Sequence, residues 1–107
     1  MNIPLPAGTP RSEYKDRFLE SLQEVEKRFS PDFVFISSGF DVLSGDPLGG
    51  QGVEPEDLYE FTGEVMALAQ ETAGGRLITL LEGGYVPERV GEGAVAVLRA
   101  LTGLNAP

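Results

Sequence analysis

The sequence contains no histidine, no cysteine and no tryptophan. Without histidine it lacks the usual proton shuttle near neutral pH and the commonest metal ligand, so any hydrolytic mechanism must use other groups or borrow them from elsewhere. Without cysteine it can form no disulfide and no thiolate metal site. That absence allows a reducing compartment, and a cytoplasmic location is the expectation. Positive charge is scarce: 8 basic residues face 17 acidic ones, for a formal net charge of −9. Such a surface repels phosphate backbones and anionic headgroups, which argues against nucleic acid and membrane surfaces as partners. Residues 1–10 carry no apolar run with a basic start, so nothing there reads as a signal peptide. No stretch approaches the roughly 18 apolar residues that a bilayer span requires.

What remains is a chain of 107 residues that is 41% hydrophobic. That length predicts one domain or a piece of one, with a modest core. Proline and glycine divide it cleanly. Asn2 to Pro6 is a short apolar piece between prolines, suited to an edge strand or an extended entry segment. Ser12 to Phe29 reads as an amphipathic helix, with Tyr14, Phe18, Leu22, Val25 and Phe29 at spacings of three and four. That stripe is expected to be core. Phe33 to Ile36, extended by Ser37 and Ser38, is a continuous apolar run of the kind found in strands covered on both faces. A second helix is expected over Glu56 to Thr72, on Leu58, Phe61, Val65, Leu68 and Ala69. Arg76 to Leu81 predicts a second strand. Pro87 fits the first position of a third helix running to about Leu101, in which Gly91 and Gly93 each cost about 1 kcal/mol relative to alanine.

The order helix, strand, loop, helix, strand, loop, helix predicts an α/β fold with right-handed crossovers and parallel strands. Ligands of such sheets bind at the carboxyl ends of the strands. Two glycine-rich loops leave strands at that end and should lie close together. In the first, Gly39 to Gly52, Asp41 stands just past the strand and can act as a hard oxygen ligand for zinc or a similar ion. The plainer reading makes Asp41 or Asp46 a cap on turn amides, and local chemistry alone favours it. In the second, Glu82-Gly83-Gly84-Tyr85, the tyrosine can donate a hydrogen bond to a developing oxyanion. A half-wet tyrosine closing the sheet end is the plainer alternative. Glu82 as a general base is a weaker assignment than a solvated glutamate. Neither loop holds a lysine or a G-x-x-x-x-G-K pattern, which weakens a phosphate-binding reading. Val53 to Asp57 reads as acidity at a helix start and not as a metal site.

Three stretches carry a family resemblance. Residues 37 to 49, Ser-Ser-Gly-Phe-Asp-Val-Leu-Ser-Gly-Asp-Pro-Leu-Gly, Leu80-Leu-Glu-Gly-Gly-Tyr85, and the opening Asn2-Ile-Pro-Leu-Pro-Ala-Gly-Thr9 occur in one order. Together they resemble the carboxyl-terminal part of the zinc-dependent histone deacetylase, acetoin-utilisation and acetylpolyamine amidohydrolase family. The resemblance implies an arginase/deacetylase-type fold and hydrolysis of an acetylated amide by a zinc-bound water. It implies that Asp41 is one of three zinc ligands and that Tyr85 stabilises the oxyanion. Leu48 would line the acyl tunnel, Gly83 and Gly84 would flank the substrate, and Asp46 would be structural.

The departures are as informative. The family's upstream D-x-D-x-H motif and paired histidines are missing, Leu43 stands where many bacterial relatives have histidine, and Val86 replaces a frequent Asn or Asp. One carboxylate cannot hold catalytic zinc, which normally has three protein ligands. The expectation is therefore a carboxyl-terminal segment, inactive alone, that needs a missing amino-terminal half or self-associates. A non-enzymatic, oligomerising α/β module is the rival, and a nucleotide-binding half-domain is a weaker third.

Overall fold

The computed structural model describes residues 1–107. Its elements are α1 (Arg11–Arg28), β1 (Val34–Ser38), α2 (Pro55–Thr72), β2 (Leu77–Leu81) and α3 (Pro87–Leu101). A 3-10 turn, Phe40–Val42, follows β1. The alternating order expected from the sequence is present, and Asn2 to Pro6 forms no strand. That segment is tied down instead through Gly8 N–H to the Gly50 carbonyl (2.8 Å) and Gln51 Nε2 to the Pro6 carbonyl (3.1 Å). No helix is long and apolar enough to cross a membrane.

β1 and β2 pair directly and in parallel, from Val34 opposite Leu77 to Ser38 opposite Leu81. The continuous apolar runs predicted cover on both faces, and here the structure differs. Along each strand exposure alternates: Val34, Ile36, Leu77 and Thr79 are half-buried, while Phe35 (62% exposed), Ile78 (41%) and Leu80 (51%) are not covered. The helices of this chain protect one side of a sheet whose sequence is apolar on both.

α2 is the best-specified helix. Pro55 occupies its first turn, where a missing N–H costs nothing. Asp57 folds back so that Oδ2 accepts the Glu54 N–H at 2.9 Å. Its apolar stripe is buried through Phe61, Val65, Leu68 and Ala69. The core gathers on it: Phe40 and Leu43 from the first loop, Val53 just after that loop, Phe61, and Val97 of α3.

α1 departs from expectation. Its stripe is core only in part: Tyr14 and Phe18 pack half-buried against the core cluster, no residue of α1 is fully buried, and Phe29 is 64% exposed. The reason is geometric: α1 has one substantial helical neighbour, α2. Phe18 stacks on Phe61 at 4.1 Å between ring centroids, and Tyr14 lies at 6.2 Å from the same ring. Ion pairs add to the attachment. Asp57, 1% exposed, receives Arg11 in a bidentate pair (2.6 and 3.0 Å) and Lys15 at 3.3 Å.

α3 corrects a second expectation. Gly91 is open, but a Cβ on Gly93 would stand 2.9 Å from Phe40 Cδ1 and 3.1 Å from Leu43 Cδ1. Gly93 is therefore a packing requirement where helix propensity alone reads it as a weakness.

Burial pushes the Asp57 pKa up, but the Arg11 bond, the Glu54 amide and Lys15 outweigh it, and the net shift is downward. A carboxyl whose folded pKa is depressed adds stability above its unfolded value, about pH 4, and loses it as pH falls through the folded value. Asp57→Asn should therefore destabilise the chain by about 1–3 kcal/mol at pH 7. Urea unfolding at pH 7 and pH 3 checks this: the gap between the two proteins should narrow at the lower pH.

Candidate functional site

Parallel pairing makes both strands exit at one end, so the loops after Ser38 and Leu81 start side by side. They are stitched together at once. Glu82 N–H donates to the Ser38 carbonyl at 3.0 Å, and Phe40 N–H donates to the Gly83 carbonyl at 2.8 Å. The Ser38 and Thr79 hydroxyls hydrogen-bond beneath them. Buried Phe40 anchors the turn that carries Asp41.

Asp41 is half-buried, with its carboxylate lying against glycine backbone. A Cβ on Gly39 would be 2.8 Å from Oδ1, and one on Gly83 would be 3.1 Å from Oδ2. A Cβ on Gly49 would meet the Asp41 carbonyl oxygen at 1.7 Å, so the loop closes only around glycine there. The expected proximity of Asp41 to the second loop is thus present, through Gly83. Asp41 also borders a cavity of about 240 Å³ between β1, α1 and α2, lined by Tyr14, Phe18, Ile36 and Phe61 among others. Burial raises the Tyr14 pKa, and the Asp41 charge adds to the rise. Sequence reasoning treated Tyr14 as one position of the α1 stripe and missed its place beside this carboxylate.

Leu48 and Tyr85 do not line that cavity. Both are exposed, at 70% and 55%. Their backbones meet at Asp46 instead. Asp46 Oδ1 accepts the N–H groups of Leu48 (2.8 Å) and Gly49 (3.1 Å), and Oδ2 accepts the N–H of Tyr85 (2.9 Å). Desolvation raises the Asp46 pKa, yet the three backbone donors together outweigh it and leave the carboxyl below its ordinary value. The turn reading of Asp46 holds for its own loop. Its reach across to Tyr85 had no signal in spacing alone.

Gly84 has a φ of +138°, a region that L side chains rarely adopt. A Cβ there would stand 2.5 Å from Val90 Cγ2 and 3.2 Å from Phe40 Cβ. Arg89 completes the frame from α3, donating Nε to the Ser44 carbonyl at 3.1 Å while its guanidinium pairs with Glu54 and Glu92.

The donor set does not fit catalytic zinc by itself. No three His, Cys, Asp or Glu side chains converge on one point anywhere in the chain. Asp41 offers a single carboxylate where three protein ligands are the norm.

Residues 1–101 match the histone deacetylase domain family. The chain is 33% identical over 103 residues to histone deacetylase 14, chloroplastic, of Arabidopsis thaliana, covering 96% of this chain and 24% of that protein. It is 35% identical over 108 residues to the polyamine deacetylase HDAC10 of Homo sapiens, covering 100% of this chain and 16% of that protein. Among solved structures, the histone deacetylase Clr3 superposes with a TM-score of 0.85 at 31% identity, over 99% of this chain and 17% of that one. The chain thus spans about a quarter or less of the length of these relatives.

Gly84→Ala should cost about 2–4 kcal/mol, from a strained backbone and a clash with Val90. Thermal unfolding beside Gly91→Ala, where a Cβ meets open space, checks the assignment: the second variant should be at least as stable as the parent.

Proposed function

The chain belongs to the histone deacetylase family, and from that premise we propose that it forms one wall of a zinc-dependent amide-hydrolysing site. The substrate class is an acetylated lysine, an acetylpolyamine or a similar small acetyl amide. Asp41 is one of three zinc ligands in this reading, and the other two, with the histidine pair that moves protons, come from residues outside these 107. Zinc held there would polarise the amide carbonyl and acidify a bound water. This chain's own residues have narrower tasks. Asp41 supplies a hard anionic oxygen. Tyr85 donates its phenolic O–H to the oxygen on which negative charge develops. Leu48 lines the acyl tunnel. Gly83 and Gly84 flank the substrate.

The observation that carries this reading is the junction of the two motif loops. Phe40 N–H bonds the Gly83 carbonyl, and the Asp41 carboxylate lies against Gly83, two residues before Tyr85. The family motifs, far apart in sequence, are neighbours in space. The test is a graft in which these residues replace the matching segment of the Arabidopsis thaliana relative. The graft should deacetylate an acetyl-lysine or acetylpolyamine probe and carry one zinc. Asp41→Asn should abolish zinc retention, and Tyr85→Phe should lower kcat by about 10²–10³ while zinc stays bound. A zinc-loaded graft in which neither change affects turnover would sink the assignment.

The uncovered face of the sheet supports the proposal that this chain associates with an amino-terminal half or with itself. Phe35, Ile78 and Leu80 form a contiguous apolar surface, of the kind that marks an interface. The same surface favours the second reading, a non-enzymatic module that oligomerises. In light scattering the chain alone should run larger than a monomer, and Phe35→Glu should shift it toward monomer. A monodisperse monomer at high concentration counts against self-association.

A further inference from the structure

Asp46 joins two loops through one carboxylate, and the geometry of that join is unusually complete. Oδ1 takes two amides of its own loop, from Leu48 and Gly49, while Oδ2 takes the amide of Tyr85 from the other loop. Hydrogen bonds to an ionised acceptor are shorter and stronger than neutral ones. Gly45, with a φ of +88°, lets the chain turn immediately before Asp46. Gly84, at +138°, turns it immediately before Tyr85. The flexible residue type is thus placed where each backbone must bend, and the carboxylate then fixes the result.

We propose that Asp46 is a positioning residue that sets the Tyr85 phenol relative to Leu48 by holding both backbones on one carboxylate. This rests on the role given above to Tyr85 and goes beyond it, because it names the group that aims the tyrosine. Tyr85 is 55% exposed, and the bond this chain makes to hold it is to its backbone. A displacement of about 1 Å at such a group can cost about a hundredfold in rate. Asparagine cannot replace this aspartate. It offers one oxygen, so its NH₂ would face N–H donors on one side or the other.

The test has two arms. In the 107-residue chain, the Tyr85 amide should exchange with deuterium at least tenfold more slowly than an unprotected amide, and Asp46→Asn should remove that protection while the β1 and β2 amides keep theirs. A Tyr85 amide that exchanges freely in the unsubstituted chain overturns the proposal without any variant. In the active graft, Asp46→Asn should lower kcat by about tenfold to a hundredfold with KM little changed. Added to Tyr85→Phe, it should lower kcat by no more than about twofold further, because its effect runs through the tyrosine. Losses that multiply in the double variant would make Asp46 a general stabiliser and overturn the inference. If Tyr85→Phe alone is silent, the role of the tyrosine has failed, and the exchange arm still reports on the Asp46 join.

Discussion

The candidate site depends on the register of two short strands. In a parallel pair both chains leave the sheet at the same end, and Ser38 opposite Leu81 fixes the point of departure. From there the two loops have little freedom. One backbone bond at Phe40 and Gly83 and one at Ser38 and Glu82 hold them edge to edge. A slip of one residue would turn either Ile36 or Thr79, whichever strand moved, to the bare side and separate the loop contacts together. The chemistry assigned to Asp41 and Tyr85 therefore begins in the apolar pattern of Val34 to Ser38 and Leu77 to Leu81.

Much of this was readable from local residue patterns. Helix periodicity, the proline at the start of α3 and the glycine pair ending α2 marked the elements well, because each is a local signal. The two motif loops were recognisable because their glycines and aspartates recur in a known order. What escaped was non-local. The α1 stripe of Phe18, Leu22, Val25 and Phe29 has the period of a core helix, but period says nothing about how many neighbours a helix has. Phe35 and Leu80 look buried because their runs are written for a sheet covered on both sides. Gly93 reads as a weak point by helix propensity, whereas Phe40, Leu43 and Leu58 pack over it. Asp57 was legible as acidity at a helix start, which it is, but its burial under Arg11 and Lys15 was not, because those partners lie more than forty residues away.

These 107 residues match about a quarter or less of the length of those relatives. In the proposed reading, the further zinc ligands and the cover for the sheet face both come from outside them. The apolar face is open to a proposed protein neighbour, and Asp41 is the one proposed zinc ligand that this chain supplies. The proposed amino-terminal half answers both.

The molecule uses carboxylates as fasteners in two different ways, and dissolved salt should distinguish them. Asp57 binds α1 through Arg11 and Lys15, cations whose side chains remain 46% and 30% exposed. Counter-ions can reach such partners and weaken their pull. Asp46 is held by peptide N–H groups, which carry no net charge for an ion atmosphere to neutralise. Rising ionic strength would thus loosen the outer helix first and leave the loop junction tight, so that this protein's periphery is tuned by its medium while the proposed reaction centre is insulated from it.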